Sequence, residues 1–437
     1  MKRIFIIALL IPAIAGAQTK GWSLRECIDY ALEHNLTVKQ NAITVEQREL
    51  DVNTAEGRRL PGVSAGASQN FSFGRGLTAD NTYANTNTTS TSFSLGADVP
   101  IFNGGQINYG IKLSKLELAA ATEDLDKVKN DIRVAVAQAY VQILYDKAIL
   151  EVSDSQVQRD SMQLARIQAM LMNGKASSAE VASQQASLAQ SRLSKVQAQN
   201  NLKLALLDLS QILELSSPEG FDVASPDANS LEPHVLMNPE VIYEEALGIR
   251  PEIKANELRL EYAEMNIARA KGAYLPSLNL SGGLGTNYYT SSGYQSKTFG
   301  EQVKNNFSQY IGLSLSIPIF SRFNTRNSVK SAELNFNTQQ LQTENTKKSL
   351  YKEIQQVYYN AVAAQTKMLT SNEAAQSAEL SMNLTTEKYE NGKANITEYN
   401  EAKNRYLEAE SNYLQARYEC LYQTSLVNFY RGKEMEF

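Results

Sequence analysis

Two periodicities take turns along this chain. From Ser23 to about Arg58 the apolar residues Leu24, Ile28 and Ala31 recur at helical spacing. Ser23 with Glu26 three residues on forms a capping box at the start, and Pro61 closes the segment. From Gly62 the period becomes two. Val63, Ala65, Ala67, Phe71 and Phe73 share one face of a strand over 62–74, and Phe93, Leu95, Ala97, Val99 and Ile101 share one face of a second over 92–102. Between them Arg75 to Thr91, rich in Asn, Thr and Ser, reads as a polar loop. Each strand is about ten residues, the length a tilted membrane strand needs. A half-buried soluble hairpin shows the same alternation, and these two strands do not separate the two cases.

Helical character resumes after Asn103-Gly104-Gly105 and continues without proline to Asn173. Helices this long belong to coiled coils or elongated bundles. After the turn Asn173-Gly174-Lys175 the chain returns as helix to about Leu215. Residues 216–240 carry Pro218, Pro226, Pro233 and Pro239 and form a connector.

The pattern then restarts. Ala246-Leu247 repeats Ala31-Leu32, Leu275-Pro276 repeats Leu60-Pro61, and Ile317-Pro318-Ile319-Phe320 repeats Val99-Pro100-Ile101-Phe102. Strands are expected over 277–290 and 308–320, then a long helix from near Asn324. A second turn, Asn391-Gly392-Lys393, stands 218 positions after the first, and a last helix ends near Tyr430. In that helix Tyr399, Tyr406 and Tyr413 recur every seven residues with Ala402, Ala409 and Ala416 behind them, a seam for shallow helix packing. The chain is therefore mainly α with a small β part, a duplicated unit of helix, β-hairpin and long helical hairpin. The first repeat is expected over 18–215 and the second over 241–437. A repeat this long is a duplication, not a solenoid.

The N-terminus changes the compartment. Lys2 and Arg3 precede an apolar run from Ile4 to Ile14 and then Ala15-Gly16-Ala17, the pattern of a signal peptide over 1–17. The apolar run is too short to span a bilayer comfortably. No later stretch is long and apolar enough for a transmembrane helix, so an exported chain of this kind is soluble or part of a β-barrel. Four strands cannot close a membrane barrel, whose smallest members have about eight, and open edges are not tolerated in lipid. Membranous strands would thus require oligomerisation, and three protomers would supply twelve. The acidic balance, 42 Lys and Arg against 47 Asp and Glu, argues against a nucleic-acid partner held through phosphates.

Little here points to bond chemistry or cofactors. His34 and His234 are the only histidines, no Cys/His cluster has metal spacing, and no glycine-rich phosphate loop follows a strand. Cys27 and Cys420 lie at opposite ends of the chain, and the sequence leaves their pairing open. Glu398 and Glu401, three apart, share one helix face after the second turn. In a three-fold tube that face would present six carboxylates; ordinary solvated helix acids have the same spacing.

The duplicated plan, Leu60-Pro61 and Leu275-Pro276 entering the strands, Pro100-Ile101-Phe102-Asn103-Gly104-Gly105 and Ile317-Pro318-Ile319-Phe320 leaving them, and the two glycine tips together resemble the TolC and OprM family of bacterial outer-membrane efflux proteins. The resemblance covers essentially the whole chain after the signal. It implies a homotrimer in the cell outer membrane, with a shared twelve-stranded barrel set in lipid and a long periplasmic α-helical barrel. It implies a passive, non-enzymatic exit duct for efflux, joined through a periplasmic adaptor to an RND-type or ABC-type inner-membrane pump. Type I protein secretion through the same duct, or a soluble periplasmic coiled-coil scaffold, are the alternatives. By the same resemblance Glu398 and Glu401 fall on the selectivity ring of the periplasmic gate, Tyr389 on a gate tyrosine, and Glu180 on an acidic partner six residues after Gly174. The tips Asn173, Gly174, Lys175, Asn391, Gly392 and Lys393 fall on the adaptor contacts. One position departs: Ala394 stands where the family's namesake carries a gate arginine, so hydrogen bonds of Tyr and Glu are expected to hold the gate instead.

Overall fold

The computed structural model describes residues 21–77, 81–225, 236–292 and 295–436. The signal-peptide segment, and His234, lie outside them. The elements run α1 (Leu24–His34), α2 (Leu36–Gly57), β1 (Gly62–Leu77), β2 (Tyr83–Asn103), α3 (Gln106–Met172), α4 (Ser178–Ile212), α5 (Pro239–Ile249), α6 (Pro251–Lys271), β3 (Ser277–Ser291), α7 (Phe299–Asn305), β4 (Ser308–Ser316), α8 (Asn324–Glu390) and α9 (Ile396–Tyr430). The chain is mainly helical with one small antiparallel sheet, as the periodicities predict. Two compact units can be distinguished, neither coinciding with a repeat. One gathers the residues up to Ala42, Leu125–Pro251 and those from Lys347 on; the other comprises Ile43–Asp124 and Glu252–Thr346.

The second unit holds the sheet, in the order β1-β2-β3-β4. Its register explains the alternation. Val63, Ala65 and Ala67 stand opposite Ala97, Leu95 and Phe93. Leu95 and Val99 stand opposite Leu284 and Leu280, and Leu278 and Leu280 opposite Leu315 and Leu313. Residues directly opposite point to one side, so all four strands contribute to one apolar face. The other face is mostly Ser, Gly and Asn, with Ser68 Oγ 2.7 Å from Ser92 Oγ. The apolar face is largely open: Val63 is 68% exposed, Leu313 66% and Ile311 80%.

Three expectations are corrected here. The run Arg75–Thr91 is not a loop: β1 continues to Leu77, β2 begins at Tyr83, and their pairing is unbroken from Gly62↔Asp98 to Leu77↔Tyr83. Threonine favours strands, and Thr86, Thr88 and Thr89 all pair across the ladder. The fourth strand ends at Ser316 rather than at 320. Ile317-Pro318-Ile319-Phe320 leaves the sheet, whereas its counterpart Val99-Pro100-Ile101-Phe102 stays inside β2, where the register shifts between Pro100 and Phe102. Finally, a short helix, α7, stands between the strands expected over 277–290 and 308–320, where the sequence pattern shows none. Thr298 and Glu301 cap it, and Phe299 packs edge-on against Tyr288 and Phe93.

Where β2 passes into α3, Gly104 has φ +65°, and a Cβ there would lie 2.0 Å from the Gly272 carbonyl oxygen. Glycine is required at this crossing by both backbone angle and space.

In the first unit, the helical run from Ser23 to Arg58 breaks at Asn35. Its side chain accepts from the Thr37 and Val38 amides at 2.9 and 3.4 Å, and donates to the Ile212 carbonyl at 3.0 Å. It ends α1 and caps α2. The matching break in the second repeat is Arg250-Pro251, where the proline pushes its predecessor into extended backbone. Trp22 forms a parallel bridge with Val223 and packs edge-on against Tyr30 and Phe221. The Tyr140 hydroxyl donates to the Ala224 carbonyl at 2.6 Å, and Lys147 reaches both the Val223 carbonyl and the Asp222 carboxylate at 2.6 Å. Cys27 and Cys420 are buried free thiols.

Candidate gate at the hairpin tips

Both long hairpins turn in the same way, because both carry the same turn chemistry. Gly174 and Gly392 have φ +68° and +71°, a backbone that glycine adopts without penalty. The following lysine amides reach back to close the helix end, Lys175 N to Met170 O and Lys393 N to Lys388 O, each at 2.8 Å. A Cβ on either glycine would meet nothing within 4 Å, so the requirement is conformational alone. All six tip residues, Asn173, Gly174, Lys175, Asn391, Gly392 and Lys393, are exposed.

The returning helices start identically too. Ser177 caps α4, and the Glu180 carboxylate accepts from the Ser177 amide at 2.6 Å. Asn395 caps α9, and the Glu398 carboxylate accepts from the Asn395 amide at 3.0 Å. Glu180 and Glu398 are thus the closing members of two capping boxes. That is a structural role the family analogy alone did not bring out. Glu398 and Glu401 remain exposed.

Tyr389 is half-buried and lies against Tyr399, ring centroids 5.2 Å apart at 33°. Burial pushes its hydroxyl above the usual tyrosine range. Glu180 and Arg166 are charges near this hydroxyl. An inter-hairpin contact joins Arg166 of α3 to Glu390 of α8 as an ion pair. Sequence reasoning missed Arg166, because nothing in a helical pattern says which polar residues on separate helices will meet.

Above the tip the seam of α9 is packed as its spacing predicts. Tyr399 is buried, and Ala416 and Cys420 close with Ala364 and Met368 of α8, flanked by Tyr413. One residue on this face breaks the apolar pattern. Lys403, one turn from Tyr399, is 4% exposed and faces Asp160, which is fully buried. Their atoms lie 3.1 Å apart. A lysine in register with two seam tyrosines was the available signal, since a buried charge calls for a partner. Among the described residues no group of three or more His, Cys, Asp or Glu is placed to hold a metal ion.

The chain matches the outer membrane efflux protein family over residues 27–214 and 242–430. Outer membrane protein TolC of Escherichia coli is 24% identical over 426 residues, spanning 94% of this chain and 84% of that protein. Outer membrane protein OprJ of Pseudomonas aeruginosa is 23% identical over 390 residues, 87% of this chain and 77% of that one. Among solved structures, CusC superposes with a TM-score of 0.80 at 17% identity, covering 96% of this chain and 95% of CusC. The Campylobacter jejuni CmeC outer membrane channel gives 0.79 at 19%, covering 94% and 86%. The family match takes in both repeats and the structural likeness extends over nearly the whole chain; this protein belongs to the outer membrane efflux protein family.

Proposed function

We propose that the chain is one protomer of a trimeric exit duct in the outer membrane, a passive channel opened from the periplasmic side by an adaptor and an inner-membrane pump. The observation that carries this reading is the sheet. Its four strands share an apolar face around Val63, Leu95, Leu284 and Leu313 that is open to solvent, and β1 and β4 each leave an edge unpaired. An exposed apolar face of that extent marks a membrane or protein contact, and open edges in lipid must be paired. Three copies joined edge to edge give twelve strands, within the range of closed membrane barrels. No helix among the described residues is long and apolar enough to cross a membrane; on this reading the strands are the membrane-embedded part.

Residues 1–17 serve as the export signal, and the repeats 18–215 and 241–437, joined by 216–240, each contribute one strand pair and one helical hairpin. The tips meet the adaptor. Glu398 and Glu401, repeated around the three-fold axis, form an acidic entrance that attracts cations and repels anions. Tyr389 and Glu180 lie at the contact between the hairpins that the gate must loosen.

Single-channel recording in a planar bilayer tests this directly. The purified chain is expected to give discrete, cation-selective openings, and Glu398→Ala with Glu401→Ala to abolish the selectivity. Openings with unchanged selectivity would remove these two residues from the filter. Failure of folded protein to insert would remove the duct.

A further inference from the structure

We infer that Asp160 and Lys403 are a positioning pair that fixes the rotation of α9 about its axis, and so decides which way Glu398 and Glu401 point. The functional consequence rests on the acidic-entrance reading above; the rotational claim does not.

The pair is enclosed. Asp160 is 0% exposed and Lys403 4%. Lys403 Nζ lies 3.1 and 3.4 Å from the two Asp160 oxygens and donates to Ser187 Oγ at 2.6 Å. Asp160 accepts further bonds from the Ser191 hydroxyl and, at 3.4 Å, from Gln184 Nε2. Gln184 also donates to the Asp160 carbonyl at 3.2 Å. The carboxylate comes from α3, the ammonium from α9, and the serines and glutamine from α4. One network therefore binds the second hairpin to both helices of the first.

Such a pair is a poor source of net stability, because desolvating two charges offsets most of their attraction, and apolar residues of similar volume serve as well or better. What it supplies is register. An apolar seam tolerates some rotation, since one methyl group replaces another. A buried ammonium tolerates none, since every wrong rotation leaves it unpaired.

The helical wheel says what this register sets. At 100° per residue Tyr399 and Lys403 share the face turned to the first hairpin. Glu398, Glu401 and Arg405, related by three and four residues, share a face turned away from it, and all three are exposed. A slip of α9 by one residue position would bring a glutamate toward the hairpin contact and carry Lys403 out of it. Arg405, one turn beyond Glu401, would move with them.

The test replaces both charges at once, Asp160→Leu with Lys403→Met, so that no unpaired charge is left to prevent folding. Glu401→Cys and Tyr399→Cys are introduced singly into the native and the neutralised full-length chain, and labelling by a water-soluble maleimide is timed. With the pair present, the thiol at 401 is expected to react at least about tenfold faster than that at 399, because exposure governs access. In the neutralised chain the ratio is expected to fall to about twofold or less. An undiminished ratio in folded, oligomeric, neutralised protein overturns the proposal. Bilayer selectivity is recorded alongside. If labelling shifts while selectivity depends on neither Glu398 nor Glu401, the positioning role stands and the acidic entrance falls.

Discussion

Arg166 and Glu390, 224 positions apart in the chain, form an ion pair between the first hairpin and the second, beside the tilted pair of Tyr389 and Tyr399. Ala394 removes the arginine expected near this tip, and Arg166 supplies a cation from the opposite helix. The pair is about half exposed, so its contribution is on the order of 0.5 kcal/mol per protomer, roughly a twofold shift between closed and open. Arg166→Ala is expected to raise open probability in bilayers by that factor or its compound over three protomers. The exchange Arg166→Glu with Glu390→Arg is expected to restore the resting value.

The glycines rank by surroundings rather than by sequence context. Gly174 and Gly392 need only their positive φ, since open space surrounds the place of a Cβ. Alanine at either is expected to cost about 1 kcal/mol, seen as faster amide exchange confined to the tip. Gly104 also has positive φ, but its Cβ would collide with backbone at Gly272. Gly104→Ala is expected to leave the chain unable to fold, read as loss of the cooperative thermal unfolding transition.

The two cysteines are predicted to be silent. Burial pushes the Cys27 thiol up to about 12, and burial also raises Cys420. The thiolate is the reactive form, so folded protein near pH 8 is expected to give no colour with an aromatic disulfide reagent. Both thiols are expected to appear on denaturation, without reductant.

Asp146 is a buried carboxylate that accepts from the Gln142 amide at 3.0 Å. Burial raises its pKa above the ordinary value. Below the unfolded-state pKa the group is protonated in both states and costs nothing. As pH rises through the window between the unfolded and the raised folded value, only the unfolded chain releases the proton, and stability falls. Above that window the whole cost is present. Asp146→Asn is therefore expected to melt higher than the parent near pH 8, with the difference closing toward pH 4.

How much of this was legible follows from the range over which each signal acts. The hairpin tips are local: Asn-Gly-Lys followed by a cap and a glutamate dictates its own geometry, and both tips formed where the sequence places them. The long helices and the strand faces of Val63 and Ile311 are equally local, each set by a period. The extension of β2 through Thr86–Thr91 was not legible, because polar composition reads as loop until a partner strand supplies the ladder. The break at Asn35 was hidden in a continuous helical pattern, and its cause, a hydrogen bond to Ile212, lies 177 positions away. The Asp160–Lys403 contact spans 243 positions. Its lysine was visible as an oddity on the Tyr399 face, but no period names the acid it meets. At the candidate site, therefore, the residues at the tips were found from the sequence, and the residues that hold one hairpin to the other were not.

The clasp of Trp22 against Val223 also bears on how the protein is made. A polypeptide appears N-terminus first, so Trp22 is among the first described residues to emerge and its backbone partner follows about 200 residues later. Until then the Trp22 carbonyl has neither the Ala224 amide nor, for over a hundred residues, the Tyr140 hydroxyl to accept from. The first residues of the folded body are thus fastened only when the whole first repeat has been made. The connector between the repeats acts as a latch, reporting on the arrival of the whole first repeat, and a chain truncated before Val223 would carry its leading end loose and open to chaperones and proteases.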